Sequence, residues 1–216
     1  IVHIMYDDRI DLVPYIQCKR IYYTSHWGYL PQIKERMNDP YFNNIFKKAV
    51  FYKNNIHFLV LSKEIKDVYT HFGVSESKIT VINNGASSEQ FKFMNTPQFP
   101  DKTLYLAKVD YRKRQHMFHT IDSLYFAGNI ADERFNQNCG RYLGEWSRQS
   151  VYQHLTDYAS VALLSDGEAD PLTVKEAFMA GCGVVVSQYA TANLDLSKPW
   201  ITVIPEAQIN DIKYIE

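Results

Sequence analysis

Short apolar segments alternate with longer amphipathic ones along most of this chain. Runs of four to six apolar or β-branched residues are typical of buried strands, and they lie at Ile21–Thr24, Ile56–Leu61, Ile79–Ile82, Thr103–Ala107, Ser123–Ala127, Val161–Leu164, Gly183–Ser187 and Ile201–Ile204. Segments with helical spacing lie among them, at Phe42–Tyr52, Lys63–His71, Lys113–Thr120, Arg148–Tyr158 and Leu172–Ala180. Strands that alternate with helices of this length favour βαβ units, so the pattern predicts an α/β protein with parallel sheets.

One stretch breaks the alternation and predicts a division into two units. Ser87–Asp101 contains two prolines among polar residues, which is typical of a linker. We therefore expect one α/β unit over residues 1–95 and a second over residues 96–216. The chain opens on the strand-like run Ile-Val-His-Ile and ends in a helical pattern, so we expect it to be part of a longer chain.

Composition narrows the class of protein. The 216 residues are 46% hydrophobic and 22% charged, as in an ordinary globular protein. A net charge of −1 gives no reason to expect a nucleic-acid partner, and no apolar run is long enough for a transmembrane segment. Three widely spaced cysteines favour a reducing compartment, which predicts a cytoplasmic protein. No G-x-G-x-x-G follows a strand, which argues against a dinucleotide dehydrogenase.

The first candidate site follows the predicted strand Val161–Leu164. A polar loop leads into a helix, with Asp170 as the expected N-cap and Pro171 at the first helical position. Ligands bind at such strand–loop–helix junctions of parallel sheets, and the free N–H groups near Leu172 and Thr173 suit a phosphate. Glu176, about one turn further on, is expected to face the same crevice. The alternative is a capped helix with solvated carboxylates.

A second candidate follows the predicted strand Thr103–Ala107. Four cations lie within seven residues, at Lys108, Arg112, Lys113 and Arg114, where the pattern predicts the start of a helix. Such a cluster is able to neutralise a diphosphate. The alternative is a basic, solvated turn.

Taken together, these segments resemble a known family. Glu168 and Glu176 are separated by seven residues, and Ser165–Val185 resembles the donor-site signature of family 4 glycosyltransferases. Three further segments are similar to that family in the same order along the chain: Lys78–Gly85, Lys108–Lys113 and Tyr142–Gly144. The resemblance spans roughly residues 20–205.

The resemblance implies a GT-B fold of two Rossmann-like α/β units, with residues 1–95 as the C-terminal part of an acceptor-side domain and 96–216 as the nucleotide-sugar donor domain. It implies a retaining glycosyltransferase in which Lys108 and Lys113 bind the diphosphate. Glu168 would contact the transferred sugar as a catalytic residue, and Glu176 would bind the ribose. The family usually has Gly-Phe-Gly where this chain has Ala169-Asp170-Pro171. Asp170 is also a candidate residue of the donor site, where it would cap the helix or bind sugar hydroxyls.

The remaining expectations concern the acceptor side and the chemistry. His26, after the strand Ile21–Thr24, resembles the histidine that lies near the reacting sugar in this family; the alternative is an ordinary loop or core histidine. No Asp-x-Asp ends an apolar strand, which favours transfer without a metal. No cofactor is expected beyond the nucleotide-sugar donor, and the acceptor is unknown. Two alternatives stay open, a non-catalytic GT-B-like module and another GT-B enzyme such as a nucleotide-sugar epimerase.

Overall fold

The computed structural model describes residues 1–32, 38–94 and 96–216. Its contacts divide the chain into two compact units, Ile1–Asn84 with Glu168–Asp170, and Gly85–Gly167 with Pro171–Glu216. The predicted domain boundary falls at residue 95, which lies outside the described residues. Each unit is built around its own parallel sheet, which confirms the predicted α/β class.

The first unit has a four-stranded sheet in the order β1-β2-β3-β4, with every neighbouring pair parallel. Its strands are β1 Val2–Ile4, β2 Ile21–Ser25, β3 Ile56–Val60 and β4 Ile79–Val81. Helices α1 Pro40–Phe51 and α2 Lys63–His71 follow the predicted segments closely. Ser62 is the N-cap of α2, since its Oγ accepts a hydrogen bond from the N–H of Ile65 at 3.3 Å.

Aromatic side chains fill the core of the first unit. Tyr23 and Phe58, on neighbouring strands, are fully buried and meet edge to face with ring centroids 5.8 Å apart. Tyr69 of α2 packs against Phe58 at 4.6 Å. These contacts explain why β2 and β3 are the central strands of this sheet.

The second unit has a five-stranded parallel sheet in the order β6-β5-β7-β8-β9. Its strands are β5 Phe99–Leu106, β6 Leu124–Ala127, β7 Tyr158–Leu163, β8 Gly183–Ser187 and β9 Ile201–Ile204. Its helices are α3 Arg148–His154, α4 Leu172–Met179 and α5 Ile212–Ile215. Among the described residues, none of the helices is both long and apolar enough to cross a membrane.

Three elements of this unit, β5, α3 and β7, begin or end at least three residues away from the prediction. Strand β5 begins at Phe99, inside the predicted linker, and its register against β7 shifts between Phe99 and Thr103. Pro100 is tolerated there because an irregular pairing does not require its missing N–H. Helix α3 ends at His154, four residues early, and β7 begins at Tyr158, whose ring contacts Phe99 at 5.3 Å.

Candidate functional site

The strand order of the second sheet locates its ligand-binding edge. The chain runs from β5 outward to β6 and then crosses back to β7, from which it proceeds through β8 to β9. The direction of this order reverses between β5 and β7. In open α/β sheets ligands bind at the carboxyl ends of the strands beside such a reversal. Both predicted donor segments of this unit begin there, one after Leu106 and one after Leu163.

The segment after β5 is a basic turn, residues 108–115, and the helix predicted over Lys113–Thr120 does not form. The carboxylate of Asp110 accepts hydrogen bonds from the N–H groups of Arg112 and Lys113, both at 3.1 Å. Arg114 adopts a left-handed conformation with φ 59°, and only a short 3-10 turn, Gln115–Met117, follows. An aspartate that binds nearby backbone amides stabilises a turn in competition with a helix.

The cations of the basic turn differ in their environment. Arg114 forms an ion pair with Glu206, and both side chains are largely buried. That pairing neutralises one of the four positive charges counted in the sequence. Lys108 is exposed and Lys113 is half-buried. Lys108 and Lys113, the two residues predicted to bind a diphosphate, are thus both at least partly accessible, as is Arg112.

Hydrogen bonds fasten the basic turn to the β7 loop, residues Ser165–Gly167. Tyr105, fully buried on β5, donates its hydroxyl to the carbonyl of Lys113 and accepts from the N–H of Leu164 at 2.9 Å. The N–H of Asp166 donates to the carbonyl of Arg112 at 2.9 Å. The segments that follow β5 and β7 are thus hydrogen-bonded to each other, although they are far apart along the chain.

A glycine allows the backbone beside Lys108 to approach its neighbour closely. Gly128 has φ +150°, and a Cβ atom at this position would lie 1.9 Å from the carbonyl oxygen of Ala107. Real Cβ atoms do not tolerate such a contact, so only glycine fits this conformation. The glycine at this close approach is therefore Gly128, directly after β6, while Ala107 stands where the resembled family commonly has glycine.

The start of helix α4 corrects one expectation. Asp170 is not the N-cap; Pro171 occupies that position, and its side chain makes no capping hydrogen bond. The Asp170 carboxylate instead accepts a hydrogen bond from the N–H of Asn84 at 2.6 Å, while the Asn84 amide donates to the Asp170 carbonyl at 2.8 Å. Leu172 is 48% exposed and Thr173 is half-buried. The first-turn N–H groups of these two residues have no intrahelical partner, as in any helix, and suit an anion.

Glu176 is buried and paired with an arginine that the sequence analysis missed. Its side chain is 6% exposed, and its Oε1 lies 2.7 Å from Nη2 of Arg148, the first residue of α3. The hydrogen bond to Glu176 raises the pKa of Arg148. An arginine at the start of a predicted helix was visible in the sequence, but a pairing across 28 positions has no local signal. The alternative of a solvated carboxylate is thus wrong for Glu176.

Glu168 and Asp170 cluster with the first unit, although the chain on either side of them belongs to the second. Glu168 is half-buried, whereas Asp170 is 4% exposed. Ala169, between them, is buried in the hydrophobic core of the first unit. The apolar Ala169 therefore has a packing role that the Gly-Phe-Gly comparison did not suggest.

His26 directly follows β2 in the first unit and is exposed. The backbone N–H of His26 donates to Oδ2 of Asp7 at 3.3 Å, and the Tyr23 hydroxyl donates to Oδ1 of the same carboxylate. Burial raises the pKa of Asp7, while these hydrogen bonds act in the opposite direction. The imidazole is thus placed at the carboxyl end of a central strand, where ligands bind in parallel sheets.

In the described part of the chain, no group of three or more His, Cys, Asp or Glu side chains is arranged to hold a metal ion. Cys18, Cys139 and Cys182 are free thiols. Burial raises the pKa of the Cys182 thiol to about 12, which keeps it protonated near neutral pH and unsuited to act as a nucleophile.

If Lys108 and Lys113 bind a diphosphate, as the resemblance implies, Lys108→Ala and Lys113→Ala should each weaken UDP binding by roughly tenfold to a hundredfold, the value of a charge-assisted hydrogen bond. The affinity for uridine, which has no phosphate, should change little in either variant. Lys198, which is bound to Asp195 at 3.2 Å before the amino end of β9, gives a matched control in the same unit. Equal losses for Lys113→Ala and Lys198→Ala in a calorimetric titration would contradict a phosphate role for the basic turn.

The two parallel sheets and their order define the class of fold, which is that of the GT-B glycosyltransferases. Solved structures with this fold cover almost the whole chain. Among them is Anabaena HepE, crystallised in complex with UDP, with a TM-score of 0.74 and 14% identity over 99% of this chain and 67% of its own. Sucrose-phosphate synthase from Thermosynechococcus elongatus has a TM-score of 0.73 and 15% identity, over 99% of this chain and 64% of its own.

WaaG, described as a glycosyltransferase involved in lipopolysaccharide biosynthesis, has a TM-score of 0.69 and 13% identity, over 95% of this chain and 70% of its own. Identities this low establish the fold alone. The chain spans about two thirds of the length of these proteins. No protein-family model matches the sequence, and no curated protein sequence matches it.

Proposed function

We propose that this chain carries the donor-binding part of a retaining glycosyltransferase, which moves a sugar from a nucleotide-diphosphate sugar to an acceptor hydroxyl without a metal ion. One observation carries the proposal: the basic turn and the β7 loop are hydrogen-bonded together at the order reversal of the second sheet. The fold neighbours support it, because HepE was crystallised with UDP and with UDP-glucose.

The leaving group of such a reaction is a nucleoside diphosphate, whose negative charge grows as the glycosidic bond breaks. In the proposed site Lys108, Lys113 and the N–H groups of Leu172 and Thr173 stabilise that charge. A lysine pair and a helix start together provide the neutralisation for which many transferases use a divalent cation. Neutralisation of the diphosphate by these groups supports a metal-independent reaction.

The two glutamates have separate roles in the proposal. Glu176 accepts hydrogen bonds from the ribose hydroxyls, and Glu168 accepts them from the transferred sugar. A carboxylate binds two vicinal hydroxyls well, and beside the sugar it also favours a positively charged ring in the transition state. His26 contributes from the acceptor side, and Asp170 contributes indirectly by fixing the segment that carries Glu168. The three free cysteines support a reducing, cytoplasmic location.

Calorimetric titration of the chain with UDP, GDP and ADP, each with and without EDTA, tests the donor site. We expect at least one nucleotide to bind with an affinity that EDTA leaves unchanged. Binding that disappears on chelation would contradict the metal-free reaction. Failure of all three nucleotides to bind would contradict the donor function itself.

The stereochemistry needs a separate measurement. The anomeric proton of the newly formed product has a coupling constant in NMR that differs between the two anomers. With a donor of known configuration, we expect the product to keep that configuration in the earliest spectra. Inversion would contradict a retaining mechanism while leaving donor binding intact.

A further inference from the structure

The pairing of Arg148 with Glu176 has a function beyond stabilising a buried charge. We infer that Arg148 is a positioning residue, which orients the Glu176 carboxylate toward the ribose hydroxyls and so sets a preference for ribonucleotides over 2′-deoxyribonucleotides. The inference rests on the proposed function, because it assumes that a nucleoside diphosphate binds this unit.

The burial of Glu176 makes a partner necessary. The residue is 5% exposed on the first turns of α4, and a buried charge without a countercharge is costly. Arg148 provides the countercharge at 2.7 Å from Oε1. Hydrogen bonds to a charged acceptor are the strong ones, so a carboxylate held by this arginine is suited to accept bonds from hydroxyl groups.

Arg148 is itself held in place. Its Nη2 lies 3.1 Å from the Tyr152 hydroxyl, and its guanidinium carbon lies 5.0 Å from the centre of the Tyr152 ring. The Tyr152 ring packs edge to face against Phe91, with centroids 5.3 Å apart. A planar guanidinium that is stacked on a ring and bonded on one edge has a defined orientation. Arg148 is largely exposed despite these contacts, with 63% of its side chain accessible.

The geometry leaves acceptor capacity for a ligand. A carboxylate offers about four lone-pair positions on its two oxygens, and Arg148 engages Oε1. With Oε1 fixed, the rotation of the carboxylate about its own axis is also fixed, so Oε2 points in one direction. Two hydroxyls on neighbouring carbons, such as the 2′ and 3′ hydroxyls of ribose, match that arrangement better than a single one does.

The experiment compares UDP with 2′-deoxy-UDP in calorimetric titrations of four forms of the chain. These are the unmodified chain, Arg148→Met, Arg148→Lys and the control Arg134→Met. Arg134 is a matched control because it is 56% exposed and lies 2.8 Å from Asp132, which is 6% exposed. If another nucleotide binds better than UDP, its own 2′-deoxy form replaces 2′-deoxy-UDP.

We expect the unmodified chain and Arg134→Met to prefer UDP by roughly tenfold or more, the value of one charged hydrogen bond. In Arg148→Met this preference should fall to roughly twofold, while the affinity for 2′-deoxy-UDP changes little. Arg148→Lys should retain part of the preference, because it keeps the charge but not the planar geometry. If Arg148 had a merely structural role, its replacement would weaken the binding of both ligands equally and leave the ratio of the two affinities unchanged.

The outcomes separate the inference from the function on which it rests. An unchanged preference in folded Arg148→Met, or a parallel loss for both ligands, would overturn the inference alone. Should Arg148→Met fail to fold, Arg148→Lys decides, since a full preference in that variant would equally overturn the inference. If the unmodified chain binds none of UDP, GDP and ADP, the proposed donor site is wrong, and the inference falls with it.

Discussion

Glu176→Gln should weaken the binding of UDP and of UDP-glucose by the same factor, roughly tenfold to a hundredfold, since both ligands contain the ribose that this carboxylate is proposed to bind. The amide keeps the shape of the side chain but loses its charge. Arg148 is 63% exposed, so water replaces its lost partner and the effect on stability should be small. Calorimetric titration with both ligands, alongside a thermal melt of each variant, measures the two effects separately.

Glu168→Gln provides the contrast that makes this prediction discriminating. The proposed contact of Glu168 is with the transferred sugar, which UDP lacks. Affinity for UDP should therefore be unchanged, while affinity for UDP-glucose falls by roughly tenfold or more. Identical behaviour of the two variants toward both ligands would show that the two roles are wrongly assigned. No effect of either variant, with both still folded, would show that neither glutamate touches the donor.

Gly128→Ala should lower the free energy of unfolding by roughly 3 kcal/mol or more, because it combines a strained backbone with a steric overlap. The new Cβ would lie 1.9 Å from the carbonyl oxygen of Ala107, and a backbone atom cannot move away as cheaply as the end of a flexible side chain. The carbonyl belongs to the residue before Lys108, so the basic turn should shift as well. We expect weaker UDP binding in whatever fraction of the variant folds.

Gly140→Ala is the matched control for this substitution. Gly140 also has a positive φ, +76°, but a Cβ atom there would meet nothing within 4 Å. Its cost should be the conformational strain alone, about 1–2 kcal/mol. Urea unfolding followed by circular dichroism gives both values under one set of conditions. Similar losses in the two variants would mean that the overlap with Ala107 is relieved by a small local movement.

The periodicity of apolar residues was sufficient to predict the sheets. Each strand predicted from a short β-branched run forms, because such runs are buried on both faces of a parallel sheet. β8 and β9 have their predicted bounds, Gly183–Ser187 and Ile201–Ile204. The resemblance to a glycosyltransferase family gave the fold class, which the solved structures confirm.

The errors arose where side-chain hydrogen bonds, either within one turn or to a residue distant in sequence, decide the local structure. Lys113–Thr120 has helical spacing, but Asp110 and Gln115 bind the backbone of the basic turn and stabilise an irregular loop instead. Asp170 is a good N-cap by residue type, yet its carboxylate binds Asn84, which is 86 positions away. No local pattern contains that information, since the partner is brought near only by the tertiary fold.

The candidate site residues were identified from the sequence, whereas their environments were not. Lys108 and Lys113 follow a buried strand, which is a visible position. The pairing of Arg114 with Glu206 and of Glu176 with Arg148 depends on helices and loops from other parts of the chain. Charge counts alone therefore overestimated the free positive charge of the turn.

The hydroxyl of Tyr105 makes the proposed donor site a preorganised one. It joins Lys113 and Leu164 through hydrogen bonds, so the backbone of the proposed phosphate-binding surface is held by the fold itself. A protein that must order a loop upon binding loses conformational entropy with each residue that it fixes. Here that loss has already occurred during folding. Donor affinity in this unit would thus be coupled directly to the thermodynamic stability of the sheet.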